Sequence, residues 1–205
     1  MTAQPRDSAP PRHLRVLTVC TGNIHRSPAA QFLLAEGFGP HSGIVVASAG
    51  TRAVVDAPVG EQVAKLLRAD GIDAGSFAAR RITEPDVRSA DLILGMSRAH
   101  RGHAATLWPA AVRRSYTLKE FARAAERVDP EELSAWAGSD EPRARLLALT
   151  ELASRNREPA PPEADDIVDP DGQGDDVVEQ VYREIREAVL TIVGVTRVRR
   201  GRRSL

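Results

Sequence analysis

The sequence predicts an α/β fold of three layers, a four-stranded parallel sheet with helices on both faces. Three observations predict it. Short apolar runs alternate with segments of helical periodicity along most of the chain. The runs are almost continuously hydrophobic, as strands covered on both faces must be. The only cysteine, Cys20, stands at the end of the first run, where a strand-to-helix loop of such a sheet collects its ligand.

Taken in order, Leu14-Arg15-Val16-Leu17-Thr18-Val19 reads as the first buried strand and delivers Cys20 to a loop. Pro28 to Phe38 reads as the first helix, opened by proline and ended around Gly37 and Gly39. Gly43 to Gly50 is a second strand running into a turn, and Val59 to Ala69 has helical spacing that stops at Asp70-Gly71. Ala90 to Met96 is a third strand, followed by a helix from Ser97 to Leu107 that Trp108-Pro109 closes. Ser115 to Leu118 is a weak fourth strand leading into a helix through Ala125. The whole is a Rossmann-like arrangement with the candidate active-site loop between the first strand and the first helix.

The segment from 128 to 168 departs from this rhythm and reads as an insertion beside the site. Asp129-Pro130-Glu131-Glu132 has the form of a helix start, Glu141 to Ser154 that of a second helix, and Glu158 to Glu163 that of a proline-rich linker. The insertion is expected to narrow access to Cys20. From Asp175 to Val195, apolar residues recur at helical spacing, predicting a long terminal helix packed on the sheet. The domain therefore spans 13–195. Residues 1–12, polar and rich in proline, read as a disordered leader, and 196–205 as a basic, solvated tail.

Composition limits the function. A chain of 205 residues, 42% hydrophobic, can bury one ordinary core and leaves no room for a second full domain. Lysine plus arginine and aspartate plus glutamate both number 28, so no global field points to nucleic acid or an anionic membrane. One cysteine forms no internal disulfide, and no apolar stretch is long enough for a bilayer span or a signal segment, which fits a reducing cytoplasm. His100 and His103 lie close enough on one helix to suggest a metal, but no third ligand is visible, and a solvated pair is expected. Neither metal nor cofactor is called for.

The chemistry concentrates in Cys20-Thr21-Gly22-Asn23-Ile24-His25-Arg26, with Ser27-Pro28 next. A tight loop through Gly22 can turn the backbone N–H groups of residues 21 to 26 toward an anion, and the following helix adds its positive end. Arg26 offers a planar fork for two oxyanion oxygens. These features favour a thiolate, which makes Cys20 a candidate nucleophile at a phosphate-like group.

Val19 to Pro28 resembles the active-site signature of the low-molecular-weight protein tyrosine phosphatase family. Ser48-Ala49-Gly50-Thr51, the stretch from Gly71 through Ala79-Arg80-Arg81-Ile82 to Met96, and Asp169-Pro170 ahead of Val177 to Tyr182 agree with that family in order. The likeness covers about residues 14–125 and 165–193. It implies a phosphomonoesterase acting on protein phosphotyrosine or a smaller phosphoester and releasing inorganic phosphate. Cys20 would attack phosphorus, Arg26 and the loop N–H groups would hold the equatorial oxygens, and Asp169 would serve as general acid and then base. Ser27 would hydrogen-bond the thiolate, with N-capping of the helix as its alternative role; Asn23 and Ser48 would fix the loop. Asp129 also precedes proline, but its surroundings are those of a helix N-cap.

Departures from the family pattern matter. His25 stands where many members carry a second cysteine; it reads equally as a cation beside the thiol or as a packing residue. Val54 and Asp171-Gly172 stand where aromatic walls are usual, and Phe77 replaces a histidine that braces the loop. Two other functions compete with the phosphatase reading. One is arsenate reduction with an external low-molecular-weight thiol; the other is a phosphate-binding regulatory module without turnover.

Overall fold

The computed structural model describes residues 12–197. Strand β1 (Leu14–Cys20) leads through the Cys20 loop into α1 (Arg26–Phe38), then β2 (Ile44–Gly50), α2 (Glu61–Ala69), α3 (Glu84–Ser89), β3 (Leu92–Gly95) and α4 (Arg98–Leu107). A 3-10 turn (Pro109–Arg114) precedes β4 (Ser115–Thr117) and α5 (Leu118–Glu126); α6 (Pro130–Ala137), α7 (Pro142–Arg155), α8 (Pro162–Asp165) and α9 (Asp175–Thr196) complete the order. The four strands are parallel in the order β2-β1-β3-β4. The chain therefore passes from β1 to one side and then crosses to the other, placing the β1–α1 loop at the carboxyl edge where the order reverses.

Strand alternation splits the core. Leu14, Val16 and Cys20 of β1, with Leu92 and Leu94 of β3, face the larger layer of α1, α2, α5, α6, α7 and α9. Leu17, Val19 and Ile93 face the smaller layer built from α3, α4 and the 3-10 turn.

Several boundaries differ from the sequence expectation. Helix α1 begins at Arg26 rather than Pro28, because proline fits anywhere in a first turn whose N–H groups have no helical acceptor. Helix α3 was not expected: it has six residues, too few for a periodic signal, and is set by a capping box in which Thr83 and Asp86 satisfy each other's backbone N–H. The proline-rich linker contains the short helix α8. Asp129 is the N-cap of α6, accepting from the N–H groups of Glu131 at 2.8 Å and Glu132 at 3.0 Å.

Helices α6 and α7 share the principal core, through Leu133, Leu146, Leu149, Leu152 and Ala153. Buried Arg145 of α7 donates through Nε to the Thr196 carbonyl at 2.9 Å and through Nη2 to the Val195 carbonyl at 3.4 Å, so its cation meets the carbonyl end of α9. This is why α9 continues through buried Thr196, one residue past the expected domain end. Residues 1–11 of the expected leader and 198–205 of the basic tail lie outside the described residues. Arg12, the last leader residue, pairs with Asp91 at 2.6 Å.

Candidate active site

The loop after β1 is shaped by where its carbonyls go. Those of Cys20, Thr21, Gly22 and Ile24 accept outward from the N–H groups of Thr51, Arg52, Val54 and Gly60, at 2.8–2.9 Å. In a trans peptide the N–H points opposite to the C=O, so this outward anchoring turns the N–H groups of Thr21, Gly22, Asn23 and His25 inward. The Asn23 N–H accordingly donates to Cys20 Sγ at 3.3 Å. The result is an anion nest over the thiol.

Asn23 pins the loop. Its φ of 57° lies in the left-handed region, which asparagine tolerates better than other non-glycine residues. Its buried amide donates to Ser27 Oγ at 3.0 Å and Ser48 Oγ at 2.8 Å, and its Oδ1 accepts from the Arg80 N–H at 2.9 Å. Because Ser27 Oγ accepts from Asn23, its own proton is free for Cys20 Sγ, 2.9 Å away. Ser27 lies inside the first turn of α1, whose N-cap is His25, so the capping alternative is not what the structure shows. The brace is complete without Phe77, which packs edge-on against Phe32 at the margin of the core.

Gly50, paired with Cys20 across β1 and β2, is required by proximity: a Cβ there would lie 2.5 Å from the Thr21 carbonyl oxygen and 3.0 Å from the Asn23 backbone nitrogen. At Gly60 a Cβ would meet the ring of His25, a side chain rather than backbone. His25 is thus wedged against the Gly60 turn, with Nδ1 4.0 Å from Asp171. Burial lowers its pKa below the ordinary 6.5, opposed by the charges of Asp171 and Asp169. Of the two roles considered for His25, packing is the one its surroundings describe.

Arg26 is buried. Its Nη1 donates to the Ile167 carbonyl at 3.0 Å, its Nη2 pairs with Asp169, and Nε has no protein acceptor among the described residues, a donor that an oxyanion oxygen would satisfy. The Asp169 segment is stapled to the sheet just ahead of this pair. The Ile167 N–H donates to the Met96 carbonyl at 2.9 Å, and Asp166 accepts from the Arg98 N–H at 2.7 Å. Residues 141 positions apart, Arg26 and Ile167, meet because Met96, at the end of β3, holds the Ile167 segment beside the loop that follows the neighbouring strand β1.

A cavity of about 240 Å³ lies above the thiol, lined by Cys20, Thr21, Gly22, Ile24, His25, Arg26, Arg52, Val54, Asp169 and Asp171. All the cradle residues expected from sequence line it except Asn23, Ser27 and Ser48, which lie behind it as braces. Residues 128–168 contribute no lining side chain, so the expected narrowing of access by that segment is not seen. The rim carries Val54, Arg52 and Asp171, and no aromatic ring.

The structure also corrects the reading of His100 as a solvated partner of His103. His100 is buried on the first turn of α4; its Nδ1 meets Ser97 Oγ at 2.7 Å and its Nε2 meets Thr21 Oγ1 at 3.0 Å. Burial, followed by the Arg26 charge, lowers its pKa to about 4, against the opposing pull of Asp169 and Asp166. Sequence spacing could not reveal this contact, which spans 79 positions.

A thiol beneath backbone donors, an arginine fork in the wall and a carboxylate at the rim converge on one cavity of a three-layer α/β fold, the arrangement of a hydrolase site with donors for an oxyanion. The comparisons give the family. A sequence model of low molecular weight phosphotyrosine protein phosphatases matches residues 15–156, ending ahead of Asp169. A low molecular weight protein-tyrosine-phosphatase of Acinetobacter johnsonii is 31% identical over 103 residues, 50% of this chain and 70% of that protein. A protein-arginine-phosphatase of Geobacillus stearothermophilus is 32% identical over 107 residues, 52% of this chain and 70% of that protein. The crystal structure of a low molecular weight protein tyrosine phosphatase from T. tengcongensis superposes with a TM-score of 0.64 at 22% identity, covering 88% of this chain and 98% of that one, a likeness of fold. The chain belongs to the low molecular weight phosphotyrosine protein phosphatase family and is a phosphatase-like hydrolase. Among the described residues no helix is long and apolar enough to cross a membrane.

Proposed function

We propose that this chain hydrolyses phosphomonoesters, protein phosphotyrosine among them, through a phosphocysteine formed on Cys20, in a reducing cytoplasmic compartment. The observation that carries the reading is the convergence of Cys20 Sγ, the inward loop N–H groups, Arg26 and Asp169 on one cavity. In the first step the thiolate attacks phosphorus, the S–P bond forms and the P–O bond to the leaving group breaks. Asp169 in its acid form gives its proton to the departing oxygen. The loop N–H groups and Arg26 hold the three equatorial oxygens meanwhile, with the otherwise unpartnered Nε taking one of them.

In the second step water attacks the phosphocysteine and passes a proton to the Asp169 carboxylate. The S–P bond breaks, the thiolate is restored with Ser27 donating to it, and inorganic phosphate leaves. Entry of a phosphoryl group has to exchange the Arg26–Asp169 pair for Arg26–phosphate, which frees the carboxyl group for proton transfer.

A second reading, protein phosphoarginine as substrate, is favoured by one observation: the rim offers Asp169 and Asp171 to a cationic leaving group and no aromatic wall to a phenyl ring. Release of phenol from phenyl phosphate between pH 5 and 7 tests the reaction, with Cys20→Ser expected to be inactive. Asp169→Asn should be slowed about 10²–10⁴-fold. Phosphotyrosyl and phosphoarginyl peptides compared side by side decide the substrate class. Absence of wild-type turnover on all of these would overturn the phosphatase reading. Reduction of arsenate in the presence of a small thiol, or anion binding alone, would then replace it.

A further inference from the structure

We infer that the Thr21 hydroxyl is a substrate-contacting donor, held in position by a buried neutral His100 and through it by Ser97. The inference rests on the phosphatase reading of the Cys20 cavity. Thr21 is among the residues that line the cavity, and its Oγ1 is 3.0 Å from His100 Nε2. On the far side of the ring, Nδ1 is 2.7 Å from Ser97 Oγ.

Ser97 flanks the ring. It is the N-cap of α4, and its oxygen faces the backbone N–H of His100 as acceptor. The proposed arrangement directs its remaining proton to Nδ1, 2.7 Å away, which leaves Nδ1 without a hydrogen and the ring proton on Nε2. Nε2–H then donates to Thr21 Oγ1. A hydroxyl whose oxygen already accepts from the imidazole has its own proton free for another acceptor, and Thr21 lines the cavity. The Thr21 O–H thus becomes a neutral donor beside the thiol, suited to a phosphoryl or leaving-group oxygen. His100 is a positioning residue: it touches no substrate and acts by orienting Thr21.

A doubly protonated ring would donate from both nitrogens and lose its acceptor for Ser97, so the chain of bonds requires the neutral form. Burial under the loop and the nearby Arg26 charge both favour that form.

The test compares Thr21→Val, Thr21→Ser, His100→Gln, His100→Phe and the Thr21→Val/His100→Phe double variant with wild type, using phenyl phosphate turnover and inorganic phosphate affinity. Loss of one such donor to an oxyanion is expected to lower kcat about tenfold in Thr21→Val, with a smaller change in KM. Thr21→Ser retains the hydroxyl, and the His100→Gln amide can still donate to it, so both should recover most of the rate. His100→Phe should match Thr21→Val, and the double variant should be no slower than either single one, because both substitutions remove the same donor.

His103→Gln, on the same helix, should leave turnover unchanged. Wild-type rates in Thr21→Val while Cys20→Ser is dead would overturn this inference and leave the phosphatase reading intact. So would multiplicative losses in the double variant, or failure of Gln to rescue where thermal unfolding shows it folded. If wild type turns nothing over, the phosphatase reading fails, and the same ordering of variants in phosphate affinity still decides the Thr21 donor.

Discussion

Burial of neutral His100 makes the fold acid-labile by a calculable amount. In the unfolded chain this histidine has its ordinary pKa of 6.5, whereas in the fold it is lowered to about 4, by burial first and then by Arg26. The gap of 6.5 − 4 = 2.5 pH units, at about 1.36 kcal/mol each, amounts to roughly 3 kcal/mol. At 7% exposure the residue is too enclosed for solvent to cancel this contribution. The folded value is depressed, so the contribution is complete above pH 6.5 and is lost as the pH falls toward 4, when the unfolded chain takes up a proton that the native state refuses. Relative to His100→Gln, wild type should lose roughly 2 kcal/mol by pH 5 and roughly 3 kcal/mol by pH 4. Urea unfolding of both proteins across pH 7.5 to 4 measures this. Profiles of wild type and His100→Gln that run parallel to within about 0.5 kcal/mol would refute the buried, neutral assignment.

Other substitutions probe the loop and the core. Asn23→Ala removes three side-chain hydrogen bonds and should cost about 3 kcal/mol in urea unfolding. Asn23→Gly, which relieves the positive φ but restores none of those bonds, should recover only about 1 kcal/mol of it; full recovery would show that backbone strain, not bracing, is what matters. Gly50→Ala drives a methyl into the Thr21 carbonyl and should weaken inorganic phosphate binding at least about tenfold by calorimetry, since the obstacle is backbone. Leu149→Ala should cost about 2–5 kcal/mol because Leu149 is fully buried, whereas Leu147→Ala, at 44% exposure, should stay within about 0.5 kcal/mol. Equal effects at the two leucines would contradict the orientation of α7.

The sequence by itself determined the elements whose signal is local. The apolar run ending at Cys20, the helical spacing of α9 and the N-cap at Asp129 are each settled within a few residues by periodicity, buried strand character or capping. The candidate loop was legible for the same reason, since Cys20 to Arg26 is contiguous, but its backbone shape is held from outside by the N–H groups of Thr51, Arg52, Val54 and Gly60 and by Ser48 and Arg80 on Asn23. Helix α3 escaped because six residues cannot show a period, although Thr83 and Asp86 spell its capping box.

Tertiary structure alone decided the rest. It joined Arg26 to Ile167 and Asp169, set His25 against Gly60, and buried Arg145 at the end of α9. It drew 128–168 into the principal core, through residues such as Leu133 and Leu149, and not into the cavity lining. It also turned His100 from an apparent surface histidine into the support of Thr21. Each of these contacts joins distant positions through the end of a strand or the packing of a helix. Their energies depend on which groups lose water together, and that is fixed only when the sheet brings them to one edge.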